Sequence, residues 1–398
     1  MYRRGLYFLS IGWSFVTFAL IPTFPAPIFA QEADSQVFEP TLEDFWEGRA
    51  EWVVDIEDVG LPIGESDTIL NEDGSLWSYL HASYQSAGVI DQCGEPVAFP
   101  GCLTLWESED NGVSFDLDVP ICLIPCGGCP CEDQRDHLGI TPNGDIQAAQ
   151  QYPRVHVAEE EYYLVYEWHA QTILRQSTDG LIWSDWDYLR IPGGTWPSSF
   201  APCSAIESIG AHPNIRGEAF DCLVGAPPGI YVEGDTLYVF VAAGSAPGHM
   251  RCYYGNRFGS LDNLQVCNHD PLISGAEEYG PLDVLGADAN AYFDFRYVSS
   301  ADVMRVGDHY YMSYEGIRGP EELEIGMDTQ FGLGFARSVG SEIDGAWEKY
   351  PNNPVIMDMG FNWGIGHADL IVLDGITYMY SATSQETRGR YRLVWVDN

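Results

Sequence analysis

Residues 302–316 read DVMRVGDHYYMSYEG, and this pattern decides the fold. An acidic residue opens a run of β-branched and apolar residues, a Gly-Asp pair follows, and an aromatic-rich run returns. Two such runs on either side of a short Gly/Asp turn are typical of a β-hairpin. The stretch therefore predicts two antiparallel strands joined by a tight turn.

The hairpin pattern occurs five times along the chain. The copies are residues 67–84 (DTILNEDGSLWSYLHASY), 154–168 (RVHVAEEEYYLVYEW), 229–244 (GIYVEGDTLYVFVAAG), 302–316 and 369–383 (DLIVLDGITYMYSAT). The matching aromatic residues are spaced by 86, 75, 73 and 67 positions: Trp77, Tyr163, Tyr238, Tyr311 and Tyr378. A long period of variable length indicates one supersecondary unit per repeat, with loops of different lengths between units.

A Ser/Asp/Gly turn follows three of the hairpins, at residues 107–115 (ESEDNGVSF), 176–183 (QSTDGLIW) and 338–347 (SVGSEIDGAW). Each turn comes after a strand-like run and contains or precedes an aromatic residue, which predicts a third and a fourth strand. Helical periodicity is nearly absent. We therefore expect an all-β protein, a five-bladed β-propeller with four-stranded antiparallel blades.

The first and last strands are expected to close the ring together. Only one strand-like run, residues 391–396, follows the last hairpin, so its blade lacks an outer strand. The segment 51–54 could supply that strand, which would remove the open edge.

Residues 1–30 are predicted to be an export signal. Arg3 and Arg4 precede an apolar stretch from Leu6 to Ile21, and small residues near Ala30 suit cleavage. An uncleaved membrane anchor is the alternative, and no later segment is long and apolar enough to span a bilayer. We expect a secreted protein, extracellular or periplasmic, in which residues 31–398 form a single propeller domain.

Ten cysteines follow the signal segment, and an even number in an exported chain points to disulfides. The local pairs Cys93–Cys102, Cys203–Cys222 and Cys252–Cys267 are predicted. The dense run formed by Cys122, Cys126, Cys129 and Cys131 is expected to form two disulfides, with a zinc site as the alternative.

The composition excludes several partners. The 398 residues contain 18 Lys+Arg against 59 Asp+Glu, a formal net charge of −41, and such a polyanion is repelled by nucleic acid and by anionic membranes. A hydrophobic content of 45% allows a large core. The charge also disfavours self-association, so a monomer is expected.

At these hairpins the sequence resembles the five-bladed glycosidase propellers, namely glycoside hydrolase family 43 and its fructosidase relatives. The segments that carry the resemblance are residues 302–316, 332–356 (GLGFARSVGSEIDGAWEKYPNNPVI) and 367–383. It covers all five repeats, residues 50–396, but through scaffold positions. The resemblance therefore implies the fold more strongly than the activity.

The resemblance also implies three acids on different blades: a base Asp, a modulating Asp and an acid Glu. Asp67 opens the first hairpin and matches the base. Arg154 and Gly229 open the second and third hairpins, where acids would be expected. The fructosidase motifs are absent, and the Ser/Asp/Gly turns look like sialidase Asp-boxes, which are structural turns.

Propeller geometry brings several carboxyl groups to one rim of the central channel. The first strand of each blade lines the channel, so the residues that open these strands share a face with the residues that end the second strands. Glycoside cleavage needs a carboxylic acid that protonates the leaving oxygen and a carboxylate that activates water or attacks the sugar. Crowding of carboxyl groups raises at least one pKa. We expect Asp67 as base, Asp302 or Asp369 as second acidic partner, and Glu315 as proton donor, with Glu218 as the alternative donor.

Each candidate also has a purely structural interpretation. The role of the three aspartates could be limited to accepting hydrogen bonds from backbone N–H groups. Glu315 could pair with Arg318 or Arg296. Arg154 could pair with the channel carboxylates or contact a substrate hydroxyl. His367 could orient a carboxylate, bind a central ion or serve the core.

Residues expected to contact a sugar are Arg154, Trp196, Trp363, His367 and Arg318. Trp196 and Trp363 lie in loops flanked by Gly and Pro, where a ring can stack on a sugar face. Trp168, Trp183, Trp186, Phe293 and Phe295 are expected mostly to pack between blades. No cofactor is required, although a structural Ca²⁺ is chemically reasonable in an acidic channel.

The favoured function is a secreted glycoside hydrolase that cleaves a polysaccharide or oligosaccharide with paired carboxylates in the funnel. The alternative is a non-catalytic carbohydrate-binding or surface-adhesion propeller. A third interpretation is a propeller that has lost activity and serves in surface assembly.

Overall fold

A computed structural model of the chain consists almost entirely of β-strands. It describes residues 38–396 except 63, 72, 82–89, 92–102, 117–120, 124–138, 141–145, 148–150, 169–170, 185–186, 189, 192–199, 203–220, 224–226, 244–247, 260–263, 276–292, 295–296, 319–329, 358–366 and 385–386. The described residues from Glu39 onward form one compact unit. The predicted signal segment lies outside the described residues and stays a prediction.

A short helix and a single strand come first. The helix α1 (Leu42–Trp46) begins with a capping box between Thr41 and Asp44, and it buries Leu42 and Phe45. The strand β1 (Ala50–Ile56) follows. None of the helices in the described part of the chain is long and apolar enough to cross a membrane.

The remaining strands fall into five blades and two small extra sheets. Blade 1 contains β2 (Ser66–Leu70), β3 (Leu76–His81), β4 (Ile90–Asp91), β5 (Leu103–Ser108) and β6 (Ile121–Cys122). A two-stranded sheet follows, with β7 (Gly139–Ile140) and β8 (Ile146–Gln147). Blade 2 contains β9 (Gln151–Ala158), β10 (Glu161–Trp168), β11 (Gln171–Ser177) and β12 (Asp187–Tyr188). A three-stranded sheet contains β13 (Arg190–Ile191), β14 (Phe200–Pro202) and β15 (Asp221–Leu223).

The last three blades repeat the arrangement. Blade 3 contains β16 (Pro228–Glu233), β17 (Thr236–Ala243), β18 (His249–Asn256), β19 (Gln265–Val266) and β20 (Ile273–Ser274). Blade 4 contains β21 (Tyr297–Val306), β22 (His309–Arg318), β23 (Gln330–Ser338), β24 (Trp347–Lys349) and β25 (Ile356–Met357). Blade 5 contains β26 (Asp369–Leu373), β27 (Ile376–Ala382), β28 (Arg388–Trp395) and β1.

The predicted five-bladed propeller is confirmed. The first strands contact one another in a closed ring, from β2 to β9, β16, β21 and β26 and back to β2. Each predicted hairpin is an antiparallel pair, and the matching aromatic faces the residue two positions after the hairpin's opening residue. These pairs are Ile69–Trp77, His156–Tyr163, Tyr231–Tyr238, Met304–Tyr311 and Ile371–Tyr378.

Ring closure is also confirmed. Strand β1 pairs antiparallel with β28, from Ala50 opposite Trp395 to Ile56 opposite Arg390. The predicted segment 51–54 thus supplies the outer strand of blade 5. One blade therefore contains strands from both ends of the described chain.

The core lies between the blades and contains many of the aromatic residues. Trp183 packs among blade 1 and blade 2 residues, and Phe293 packs among blade 3 and blade 4 residues. A Cβ at Gly316 would lie 2.3 Å from the Phe293 ring, and one at Gly334 would lie 2.6 Å from it. These two glycines therefore make room for a buried ring, as expected for aromatics that pack between blades.

The Ser/Asp/Gly turns attach neighbouring blades to each other. In blade 1, the Ser108 hydroxyl donates to Asp110, and Asp110 accepts from the N–H groups of Val113 and Ser114. Blade 2 has the same arrangement at Ser177 and Asp179. The carbonyl of Gly112 accepts from the Tyr380 hydroxyl of blade 5 at 3.1 Å, and that of Gly180 accepts from the Tyr79 hydroxyl of blade 1 at 3.0 Å.

The predicted disulfide between Cys252 and Cys267 is present. It joins β18 to the residue after β19, within blade 3. Of the other cysteines, Cys93, Cys102, Cys126, Cys129, Cys131 and Cys203 lie outside the described residues. Their predicted pairings stay predictions.

Candidate active site

Four of the five opening residues meet at one end of the central channel. We call this end, where the first strands begin, the start face, and the opposite end, where the hairpins turn, the turn face. Asp67, Arg154, Asp302 and Asp369 open blades 1, 2, 4 and 5, and all four interact electrostatically. The fifth opening residue is Gly229, where a Cβ would lie 2.5 Å from the Ala301 carbonyl oxygen. Glycine is therefore required at this position, because the backbone of blade 4 approaches too closely for a side chain.

The Arg154 guanidinium of blade 2 contacts residues of three other blades across the channel. Its Nη1 lies 3.1 Å from Asp67 Oδ1 and 3.2 Å from Asp369 Oδ1. Its Nη2 donates to the carbonyl oxygen of Ser300 at 3.2 Å and to the Ser300 hydroxyl at 3.0 Å. The residue is buried. Of the two interpretations left open by the sequence, pairing with the channel carboxylates is the one observed.

Asp369 has the most partners of the three channel aspartates. Its Oδ2 accepts from the hydroxyls of Ser66 at 2.7 Å and Thr68 at 3.1 Å. Its Oδ1 lies between Arg154 and Arg388, the latter at 3.5 Å. With 0% exposure and these partners, Asp369 holds blade 5 to blades 1 and 2.

The other two aspartates each accept a hydrogen bond from a backbone N–H group of the next blade. Asp67 accepts from the N–H of Val155, the residue after the opening residue of the next blade. Asp302 accepts from the N–H of Leu370, which has the same position in blade 5, at 2.6 Å. The structural interpretation of these aspartates is thus observed, and it leaves Asp302 the half-buried member of the group.

The three carboxyl groups compete for one guanidinium. Burial raises the pKa of Asp67, Asp302 and Asp369, and repulsion from neighbouring carboxylates raises that of Asp67 and Asp302 further. Arg154 opposes these effects at all three, and Arg388 opposes burial most strongly at Asp369. The pKa of Asp302 is raised to about 6. The group therefore holds a proton in the range in which ordinary aspartates are fully ionised.

Glu315 lies beyond Ser313 on β22, toward the start face. Its Oε2 accepts from the Ser299 hydroxyl at 2.9 Å and lies 3.5 Å from His367 Nε2. Burial raises the pKa of Glu315 to about 8. The carboxyl group is therefore protonated near neutral pH, as a proton donor must be.

His367 has partners on two blades besides Glu315. Its Nδ1 lies 2.6 Å from the Ser300 hydroxyl, and its ring stacks on Tyr152 with centroids 4.9 Å apart and planes 17° apart. Burial lowers the pKa of His367 to about 3, so the imidazole is neutral. The interpretation that His367 orients a carboxylate fits these contacts.

Three buried polar or charged residues, Glu65, His81 and Arg388, were missed by sequence analysis. Glu65 pairs with His81 at 2.8 Å, and this contact holds the pKa of Glu65 at about 2 despite its burial. Arg388 donates to the carbonyl oxygens of Gly64, His367 and Tyr380. Glu65 immediately precedes a strand and could have been found by extending the search two residues upstream of Asp67. Arg388 carries no local signal, because its partners are backbone carbonyl groups, which any residue supplies.

A cavity of about 300 Å³ extends from the aspartates toward the turn face. Asp67 and Asp302 lie at its inner end, and its walls include Ile69, Val303 and Ile371. The cavity is large enough for several water molecules. Water can thus reach the channel aspartates from the face opposite Glu315.

The predicted structural Ca²⁺ stays a prediction. No group of three or more His, Cys, Asp or Glu side chains in the described part of the chain is arranged to hold a metal ion. Arg154 already supplies positive charge to the carboxylates of Asp67 and Asp369.

Several predicted site residues cannot be placed in the site. Glu218, Trp196 and Trp363 lie outside the described residues. Arg318 is the last residue of β22 and pairs with Gln330 through the backbone. The roles proposed for these four residues stay predictions.

No protein-family model and no curated protein matches the chain. Among solved structures, a putative glycosidase from Bacteroides thetaiotaomicron is similar, with 13% identity, 86% of this chain and 89% of that chain covered, and a TM-score of 0.51. The fold is shared with this putative glycosidase. A thermostable family-43 glycoside hydrolase has 15% identity, coverage of 86% and 91%, and a TM-score of 0.48. An endo-arabinase from the same Bacteroides species has 13% identity, coverage of 87% and 99%, and a TM-score of 0.47. At these identities the likeness concerns the fold alone.

Proposed function

We propose that the protein is a secreted glycoside hydrolase that cleaves a polysaccharide or oligosaccharide with paired carboxyl groups in its central channel. The observation that carries this proposal is Glu315, a buried carboxyl group whose pKa is raised to about 8 at the end of the channel where the aspartates lie. Two carboxyl groups held in different protonation states are what acid–base cleavage of a glycosidic bond requires.

In this proposal Glu315 gives its proton to the leaving glycosidic oxygen. Asp67 acts as base; burial raises its pKa, and Arg154 and the Val155 N–H act against that effect by favouring the ionised form. Asp302 is the better second partner than Asp369, because Asp302 is half-buried whereas Asp369 is fully buried and held by hydroxyl groups. The separation between donor and base decides whether the sugar configuration is retained or inverted.

The cellular location and the ligand class follow from separate observations. The Cys252–Cys267 disulfide suits an oxidising compartment, in agreement with the predicted export signal at residues 1–30. The similar fold of a putative glycosidase supports a carbohydrate as substrate. Trp196 and Trp363 remain the proposed stacking residues, Glu218 remains the alternative donor, and the charge of −41 supports a monomer.

A carbohydrate-binding propeller without catalysis is the second candidate. The observation that favours it is that Asp67 and Asp369 both pair with the Arg154 guanidinium. These carboxylates therefore have a structural role that does not involve a substrate. In that function the channel acids hold the blades together, and the sugar is bound by aromatic rings and hydrogen bonds.

Release of reducing ends from a panel of polysaccharides distinguishes the two functions. We expect release by the wild-type protein, and a decrease in kcat of about 10²- to 10⁴-fold in Glu315→Gln, because proton donation is lost. Asp67→Asn and Asp302→Asn test the base and its partner. Glu348→Gln is the matched control, since Glu348 is an exposed acid paired with Arg337 far from the channel.

Three outcomes separate the interpretations. Release that is lost in Glu315→Gln and kept in Glu348→Gln supports the proposed hydrolase. Release that survives in Glu315→Gln, Asp67→Asn and Asp302→Asn rejects these residues as the reaction centre. If no polysaccharide is cleaved but one retains the protein in a pull-down assay, the protein is a binding propeller.

A further inference from the structure

Two strained residues from different blades contact the same imidazole. Tyr152 on β9 and Ser300 on β21 both have φ of 55°, a left-handed conformation that residues with side chains rarely adopt. The Tyr152 ring stacks on His367, and the Ser300 hydroxyl lies 2.6 Å from its Nδ1. Such strain persists only where the surrounding structure enforces it, and it concentrates at functional sites.

The strain comes from equivalent β-bulges. In blade 2, Arg154 faces Val165 but Gln151 faces Glu167, so β9 has one extra residue. In blade 4, Asp302 faces Ser313 but Ser299 faces Glu315, so β21 has one extra residue in the same place. Tyr152 and Ser300 each lie two positions before the opening residue of their strand. Bulges change the direction of side chains and often occur next to active sites. Equivalent bulges in two blades thus bring Tyr152 and Ser300 into contact with His367.

The hydrogen bonds at Ser300 have a single direction. A guanidinium only donates, so the Ser300 oxygen is the acceptor in its 3.0 Å contact with Arg154 Nη2. The hydroxyl hydrogen is then available to His367 Nδ1. A neutral imidazole that accepts at Nδ1 carries its proton on Nε2, and Nε2 lies 3.5 Å from Glu315 Oε2.

We propose that Arg154, Ser300 and His367 form a directional hydrogen-bond chain that fixes the imidazole, and that its Nε2–H group, with Nε2 3.5 Å from Glu315 Oε2, orients Glu315 and stabilises its carboxylate after its proton has left. This proposal deepens the proposed function and rests on Glu315 as proton donor. Ser300 and His367 are positioning residues, because Ser300 contacts His367 and His367 faces Glu315, so both act through Glu315 rather than on the substrate. The chain couples the aspartate group, through Arg154, to the proton donor.

Charged groups from three blades face this chain. Glu65 and His81 approach from blade 1, Arg154 from blade 2 and Arg388 from blade 5. Burial, with Arg154, Arg388 and His81 acting in the same direction and Glu65 against it, lowers the pKa of His367 to about 3. The imidazole therefore stays neutral, in one tautomer, throughout the range in which Glu315 titrates.

An infrared titration of the whole protein without sugar tests this chain. The carboxylic acid C=O stretch of Glu315 is assigned by its loss in Glu315→Gln, and its disappearance with rising pH gives the pKa. His367→Phe keeps a ring beside Tyr152 but removes both nitrogens, whereas His367→Gln keeps a donor toward Glu315. Ser300→Gly removes the hydroxyl and tolerates a φ of 55°. Ser313→Ala is the control, because Ser313 is a buried serine of β22 whose hydroxyl donates to Ala368 instead.

We expect the titration midpoint of Glu315 to rise by about one pH unit in His367→Phe and in Ser300→Gly, because the carboxylate loses its stabilising donor. It is expected to stay near the wild-type value in His367→Gln and Ser313→Ala. An unchanged midpoint in His367→Phe, or an equal rise in Ser313→Ala, would overturn the proposed chain.

The infrared titration and the polysaccharide assay together separate this proposal from the proposed function. If the midpoint shifts as expected but no glycan is cleaved, the hydrogen-bond chain is supported and the proposed hydrolase function is rejected. If glycans are cleaved but the midpoint does not move in His367→Phe, the hydrolase is supported and the chain is rejected. In an active protein, the alkaline limb of the kcat pH profile is expected to move with the infrared midpoint.

Discussion

At the scale of single residues, Glu315, His367 and Glu65 show how burial and hydrogen bonds act on neighbouring acids and bases in opposite directions. Glu315 is buried with few compensating donors, so its pKa rises to about 8. Glu65 is equally buried, but contact with His81 holds its pKa at about 2. Burial of His367 favours the neutral imidazole and lowers its pKa to about 3. These shifts make the stability of the fold depend on pH.

The first prediction concerns pH and the free energy of unfolding. Between the ordinary glutamate pKa of 4.5 and about 8, folded Glu315 binds more protons than the unfolded chain does, so stability falls as pH rises. Glu65 and His367 act oppositely, but their effects are complete above pH 6.5, the ordinary histidine pKa. From pH 6.5 to about 8, we expect a loss of about 2 kcal/mol in denaturant unfolding from this site alone.

The control for this prediction is the variant that cannot titrate. Glu315→Gln is expected to remove the decrease above pH 6.5, whereas Glu348→Gln, at an exposed position, is expected to keep it. An equal decrease in Glu315→Gln would mean that another group titrates in this range.

At the scale of elements, the Ser/Asp/Gly turns join blades through glycine carbonyls. Tyr380 reaches Gly112, and Tyr79 reaches Gly180, so blade 1 is held to both of its neighbours. Tyr79 and Tyr380 lie two residues after the matching aromatics Trp77 and Tyr378. The corresponding residues in the other blades are Val165, Phe240 and Ser313, which have no phenol hydroxyl.

The second prediction tests this contact at Gly112. Its φ is 72°, and a Cβ there would lie 1.8 Å from the Tyr380 hydroxyl oxygen. Gly112→Ala is therefore expected to lower the free energy of unfolding by about 3 kcal/mol, from the sum of backbone strain and overpacking. Gly48→Ala is the matched control, because Gly48 has φ of 73° and no atom within 4 Å of the added Cβ. It should lose only about 1 kcal/mol in the same thermal or denaturant unfolding. Equal losses would show that the Tyr380 contact is not constrained.

Elements with a local signal could be predicted from the sequence, and those without one could not. The hairpins have turn residues and alternating strands within about 15 residues, so all five were found. The bulges at Tyr152 and Ser300 have none of the glycines that usually mark a left-handed residue, so nothing in the sequence indicated them. Without the bulges, the convergence on His367 could not be predicted, although His367, Glu315 and Arg154 were each identified.

At the scale of the whole molecule, the ring is closed by contacts between distant parts of the chain. Arg390 of β28 donates to Asp55 of β1 at 2.8 Å and to the carbonyl oxygen of Asn111, in the turn of blade 1, at 2.7 Å. One side chain therefore joins the outer strand, blade 5 and blade 1. The sequence indicated that residues 51–54 close the ring, but Arg390 could not be identified, because Asp55 and Asn111 are hundreds of residues away from it.

The third prediction compares two neighbouring arginines of β28. Arg390→Leu is expected to destabilise the protein by about 3 kcal/mol, because Asp55 and the Asn111 carbonyl lose a largely buried partner. Arg392→Leu is expected to cost about 0.5 kcal/mol, since its pair with Glu39 is about one-third exposed. Denaturant unfolding of both variants measures the difference. If the two costs are equal, Arg390 does not contribute to ring closure.

The guanidinium of Arg154 has a consequence for how the channel keeps its charge balance. The positive charge that faces Asp67 and Asp369 is attached to the backbone of blade 2, so its effective concentration does not fall on dilution. An arginine in this setting does not lose its proton either, because the neighbouring carboxylates raise its pKa further. Folding of blades 1, 2, 4 and 5 therefore brings the three carboxyl groups together with their counter-charge, in a ratio that only a change of sequence can alter.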